Sequence, residues 1–97
     1  MKNKIGAKNQ IKKIIFKFLD PKKHQAFIFG SRVSGRAKKF SDYDIGILGR
    51  KPVAFNILTE IEESLEESDI PYKVDVVDFS LVSPQFKKAA LSKTEKL

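Results

Sequence analysis

The chain has no cysteine among its 97 residues, which excludes disulfide scaffolds, thiol catalysis and thiolate zinc sites. Histidine occurs once, at His24, so His-rich metal sites are excluded as well. No apolar run approaches the ~18 residues that cross a membrane. The basic start contains Lys12, Lys13 and Lys17, which interrupt the apolar stretch a signal peptide needs. A cytoplasmic protein is the expectation. Acidic residues are scarce in the first half: residues 1–50 carry thirteen Lys or Arg against three Asp, and residues 51–97 carry six against nine acids. A basic half suits a polyanionic partner, whether nucleic acid, nucleotide phosphates or an acidic protein face. Lysines without interleaved aromatic residues argue only weakly for direct nucleic-acid binding. Most of the N-terminal lysines read as solvated surface.

What is present suffices for one small core. A chain with 41% hydrophobic and 32% charged residues is a globular domain, and residues 1–97 are expected to form a single one. Ile11, Ile14, Ile15, Phe18 and Leu19 make the stripe of an amphipathic helix that ends at Asp20-Pro21. Ala26 to Phe29 reads as a buried strand closed by Gly30. A polar loop to Ser41 follows, with a helical turn around residues 34–39. Asp42 to Leu48 reads as a second strand. Pro52 opens a helix that turns Ala54, Leu58, Ile61 and Leu65 inward and Glu62, Glu63, Glu66 and Glu67 to water. Lys73 to Phe79 reads as a third strand. Ser83-Pro84 starts a last helix packed through Phe86, Ala89, Ala90 and Leu91. The fold class is α/β: a small mixed sheet of three to four strands, with helices mainly on one face and the other available to a ligand.

The chemistry concentrates between Phe29 and Asp44. On a strand, Asp42 and Asp44 point to one face while Tyr43 and Ile45 point to the other, into the core. Gly46 continues the acidic face without a side chain and leaves room for a ligand. Two carboxylates ~4 Å apart repel by about 4 kcal/mol at an effective dielectric near 20. A divalent cation resolves that repulsion, and Mg²⁺ takes one or two carboxylates together with water and phosphate oxygens. Gly30-Ser31 sits where a strand passes into a turn, a natural place to cradle phosphate. Arg32 and Arg36 are candidates for charge-assisted contacts to the phosphate oxygens. A third acid comes from the later strand. Asp75 and Asp78 face opposite sides of a regular strand, so only one can join the pair. The mid-strand position favours Asp75, because Asp near a strand end serves turns. His24, flanked by polar residues, reads as surface.

Gly30-Ser31, ten intervening residues, Asp42-Tyr43-Asp44 and a later strand Asp resemble the minimal nucleotidyltransferases of the DNA polymerase β superfamily. More narrowly, they resemble the short stand-alone domains that act as antitoxins beside a HEPN-domain RNase toxin. The resemblance implies a palm-like nucleotidyltransferase fold. It implies two Mg²⁺ ions held by Asp42, Asp44 and Asp75, with Asp75 assisting deprotonation. Gly30 and Ser31 then hold the triphosphate of ATP. The implied reaction moves AMP to an acceptor hydroxyl, a tyrosine of the HEPN toxin. A non-catalytic antitoxin that neutralises its partner by binding alone is the alternative.

Overall fold

The computed structural model describes residues 6–34 and 42–97. Helix α1 (Ala7–Phe18) buries Ile11 and Ile15, the centre of its apolar stripe. It ends at Leu19, which is extended at φ −121° and ψ 148°, one residue ahead of Asp20, where the following Pro21 disfavours helical backbone. The Asp20 carbonyl then accepts from the N–H groups of Lys23 and His24 at 2.9 and 3.0 Å. That turn delivers the chain into β1 (His24–Phe29) two residues before the apolar run begins. His24 is therefore not simply a surface residue. It is half-buried in a strand opposite Gly49, and its buried Nδ1 has no hydrogen-bond partner among the described residues.

A single turn of helix, α2 (Ser31–Ser34), follows β1 directly. It starts ahead of the turn expected over residues 34–39, most of which lies outside the described residues. Strand β2 (Tyr43–Gly49), helix α3 (Phe55–Glu66) and strand β3 (Val74–Asp78) come next, then α4 (Pro84–Leu91) and a two-residue β4 (Glu95–Lys96). The sheet order is β3-β2-β1-β4. Strand β1 runs antiparallel to β2 and β4, whereas β2 and β3 are parallel. A parallel pair cannot be joined by a hairpin, and α3 supplies the crossover.

Alternation along the strands divides the core in two. Ala26, Ile28, Ile45, Ile47 and Val76 face α1 and α3, where they meet Ile11, Ile15, Ile61 and Leu65. Ile11, Ile15, Ile45, Ile47 and Ile61 have no exposed surface, and each contributes about 1.5–3 kcal/mol of hydrophobic stabilisation. The other face carries Phe27, Phe29 and Phe79. Helix α4 lies against it: Phe86 makes edge-type contacts with Phe29 at 6.1 Å and tilted contacts with Phe79 at 5.7 Å. The second face is thus roofed by aromatic rings over part of its length.

Three local expectations change. Helix α3 begins at Phe55, and Ala54 is its exposed N-cap instead of an inward residue. Its carbonyl accepts from Ile57 and Leu58. The inward residue at this entrance is Val53, whose N–H is claimed by buried Asp78. Helix α4 is capped as expected by Ser83, which accepts from the Phe86 N–H at 3.2 Å, but none of its residues is fully buried. Gly46 makes room for rings, not for a ligand. A Cβ there would collide with Phe27 and Phe79.

Candidate active site

The site lies where β1 ends and where β2 and β3 begin. Antiparallel register sets Phe29, the last residue of β1, opposite Asp44, and parallel register sets Asp44 opposite Asp75. The Gly30 turn and two carboxylates from separate strands therefore stand in one row. Gly30 has φ +80°, and a Cβ there would fall on the Asp44 carboxylate. Only glycine meets both demands cheaply.

Asp42 immediately precedes β2 and is exposed, whereas Asp44 is half-buried. Burial, then the Asp75 carboxylate, then that of Asp42 push the Asp44 carboxyl above its ordinary pKa. The three acids form one electrostatic cluster that crowds negative charge onto Asp44. Lys73 Nζ lies 3.9 Å from Asp75 Oδ1, but both side chains are well exposed, and such a pair is worth little. Among the described residues, no three acidic or histidine side chains converge closely enough to enclose a metal ion. The arrangement is open-sided, the kind Mg²⁺ accepts when water and phosphate oxygens complete its shell.

Asp78 has a different task. Its side chain is buried, and Oδ2 accepts from the Val53 N–H at 2.7 Å. Oδ1 accepts from the Ser80 N–H at 3.0 Å and from the Ser80 hydroxyl. Every bond ties the end of β3 to neighbouring loops, at the far end of that strand from the acid cluster.

Ser31 opens α2 and borders a groove of about 480 Å³, with Phe29, Gly30, Phe86, Ala90 and Lys93 also lining it. The sequence marks Phe86 only as a packing residue of the last helix and gives Lys93 no role. They lie some sixty residues from the Gly-Ser turn, and only the docking of α4 brings them to it. The Arg32 guanidinium lies over tyrosine rings, 3.9 Å from the Tyr43 centroid and 4.6 Å from that of Tyr72. Arg36 lies outside the described residues. A larger groove of about 820 Å³, bordered by Lys12, His24 and Lys96, sits toward the opposite end of β1 and has no acidic lining residue. No helix among the described residues is long and apolar enough to cross a membrane.

A mixed sheet that lays carboxylates from adjacent strands side by side, next to a Gly-Ser turn, defines a nucleotidyltransferase class of α/β domain. The profile of the family described as Polymerase beta, Nucleotidyltransferase matches residues 9–97, and the chain belongs to that family. A Haemophilus influenzae protein named "Probable protein adenylyltransferase MntA" is 38% identical over 65 residues, covering 67% of this chain and 57% of that protein. The match thus spans little more than half the relative's length. A crystal structure of a toxin-antitoxin with AMP-PNP superposes with a TM-score of 0.73 at 25% identity, over 91% of this chain and 69% of the other. A Shewanella oneidensis complex of a tri-AMPylated HEPN toxin with an MNT antitoxin gives 0.68 at 22% identity, over 93% of this chain and 67% of the other. At that identity the likeness is one of fold.

Proposed function

We propose that this chain is a Mg²⁺-dependent protein adenylyltransferase that moves AMP from ATP to a tyrosine hydroxyl of a HEPN-domain toxin and so acts as its antitoxin. The observation that carries the reading is the register pairing of Asp44 with Asp75, beside a Gly30 turn packed against Asp44. The relative named as an adenylyltransferase and the AMPylated toxin in the structurally similar complex support the choice of donor and acceptor.

In this reading Gly30 and Ser31 hold the β- and γ-phosphates, with Lys93 across the same groove as a further cation. Asp42, Asp44 and Asp75 are the residues that would hold two Mg²⁺ ions. Burial first, and then the Asp75 and Asp42 charges, raise the Asp44 pKa, and a bound cation would relieve the repulsive part of that strain. When bound, the ions neutralise charge developing on the α-phosphate and on the leaving pyrophosphate. Asp75, whose side chain is 45% exposed, accepts the proton of the acceptor hydroxyl. The hydroxyl oxygen then bonds to the α-phosphorus, the bond to the bridging oxygen breaks, and pyrophosphate leaves. Such chemistry belongs in the cytoplasm, where ATP is supplied.

The test is mass spectrometry of a HEPN-domain protein from the same organism, after incubation with the chain, ATP and Mg²⁺. The expected result is a mass increase of one or more AMP units, abolished by Asp44→Asn. An undiminished increase with Asp44→Asn defeats the site assignment. Neutralisation that survives Asp42→Ala/Asp44→Ala, with the complex intact, favours binding alone.

A further inference from the structure

We infer that Arg32, Tyr43 and Tyr72 form a clamp that fixes the spacing between the Gly30-Ser31 turn and the two acid-bearing strands. This makes them positioning residues for the transfer reaction, an inference that rests on the function proposed above. The clamp joins all three pieces of the site through one cation. Arg32 is the second residue of the turn that follows Gly30. Tyr43 stands between Asp42 and Asp44, and Tyr72 stands three residues before Asp75.

The contacts are close and directional. The guanidinium carbon is 3.9 Å from one ring centroid and 4.6 Å from the other. The two rings meet edge to face at 5.4 Å and 73°. The Tyr43 N–H donates to the Lys73 carbonyl at 2.9 Å, so the backbones that carry the two tyrosines are themselves bonded. A planar, delocalised guanidinium stacks on aromatic faces in a way an ammonium does not.

The face of the sheet matters here. Tyr43 packs with the isoleucine core under α1 and α3, and Asp44, the next residue on the strand, points to the opposite face. Arg32 thus grips the site from behind. It acts through the strand that presents the acids instead of through a phosphate oxygen. Phosphoryl chemistry is sensitive to such support, since misplacing reacting groups by ~1 Å costs up to about a hundredfold in rate.

The experiment compares Tyr72→Leu, Tyr72→Phe and Arg32→Lys in the full chain, by steady-state transfer to the HEPN protein and by proton NMR of the Arg32 side chain. The wild type is expected to show the Arg32 δ-methylene protons shifted upfield by the two rings, with the shift reduced in Tyr72→Leu. Transfer by Tyr72→Leu and Arg32→Lys is expected to lose about tenfold in kcat with KM for ATP within about twofold. Tyr72→Phe, which keeps the ring, is expected to match the wild type. Arg32→Lys keeps the positive charge and a long side chain at a partly exposed position, and it keeps the test open if Tyr72→Leu folds poorly. Absence of the upfield shift in the wild type overturns the clamp. A rise in KM for ATP of more than tenfold in Arg32→Lys, with Tyr72→Leu unaffected, overturns it in favour of direct phosphate contact. A wild-type chain that shows the shift but transfers nothing defeats the function proposed above, and the positioning role with it.

Discussion

Asp44 and Asp75 are register partners across the parallel pair β2–β3, and Asp44 carries the cost of that pairing. Its carboxyl is raised above the ordinary value by burial first, and then by the Asp75 and Asp42 charges. The folded chain therefore holds the Asp44 proton more tightly than the unfolded chain does. Stability linked to this group is fully present below the ordinary aspartate pKa and is lost as pH rises through the raised one.

In metal-free buffer, the melting temperature is accordingly expected to fall as pH climbs from the ordinary aspartate range toward neutrality. Asp44→Asn is expected to flatten that part of the profile and to melt higher than the wild type at pH 7. Adding Mg²⁺ at pH 7 is expected to raise the wild-type melting temperature more than that of Asp44→Asn. Parallel profiles for the two proteins, with and without Mg²⁺, would show that the acids are not coupled in solution.

The glycine beside this pair offers a second test. Gly30→Ala forces a Cβ into the Asp44 carboxylate and places a side chain at φ +80°. The left-handed conformation alone costs about 1–2 kcal/mol. The expected outcome is a drop in stability of at least that size, together with loss of ATP affinity measured by titration calorimetry. Wild-type stability in Gly30→Ala would mean that the turn has a different conformation in solution.

Under the proposed function Asp75 serves the reaction, whereas Asp78 holds the end of β3 to its neighbouring loops. Removing the Asp78 carboxylate leaves the buried Val53 N–H without its acceptor, and a stranded buried donor costs about 1–3 kcal/mol. Asp78→Ala is therefore expected to unfold at lower urea while retaining AMP transfer per folded molecule. Asp75→Asn is expected to do the reverse: transfer is lost, and the urea midpoint stays near that of the wild type. If Asp78→Ala abolishes transfer in a folded chain, the assignment of the two acids is inverted.

Much of this was legible from period and punctuation. Strand parity separated Asp75 from Asp78, and the 3.6-residue stripe marked Ile11 and Ile15 as core, because both readings depend only on local geometry. Leu19 and Ser83 ended and began helices where the neighbouring prolines demanded. Less legible was anything set by contacts between distant segments. The contacts of Arg32 with the Tyr43 and Tyr72 rings are invisible in the sequence because those partners are 11 and 40 residues away. Phe86 and Lys93 join the Gly-Ser groove only once α4 docks on the phenylalanine face. Ala54 follows the helical stripe in sequence, yet Val53 takes the buried place because Asp78 anchors its N–H.

Gly46 shows best how a correct local reading can carry the wrong cause. It lies on the acidic face and has no side chain, but the space is filled by the rings of Phe27 and Phe79, which meet edge to face at 4.9 Å. Gly46→Ala is expected to destabilise the chain by about 1–3 kcal/mol through overpacking. Shrinking a ring should return part of that loss. In a double-mutant cycle, Phe79→Leu is therefore expected to cost less in the Gly46→Ala background than in the wild type, with a coupling of at least about 0.5 kcal/mol. Chemical denaturation of the four proteins measures the coupling. Additive costs would return Gly46 to the ligand face as open space, and would mean that the aromatic roof packs against α4 without leaning on β2.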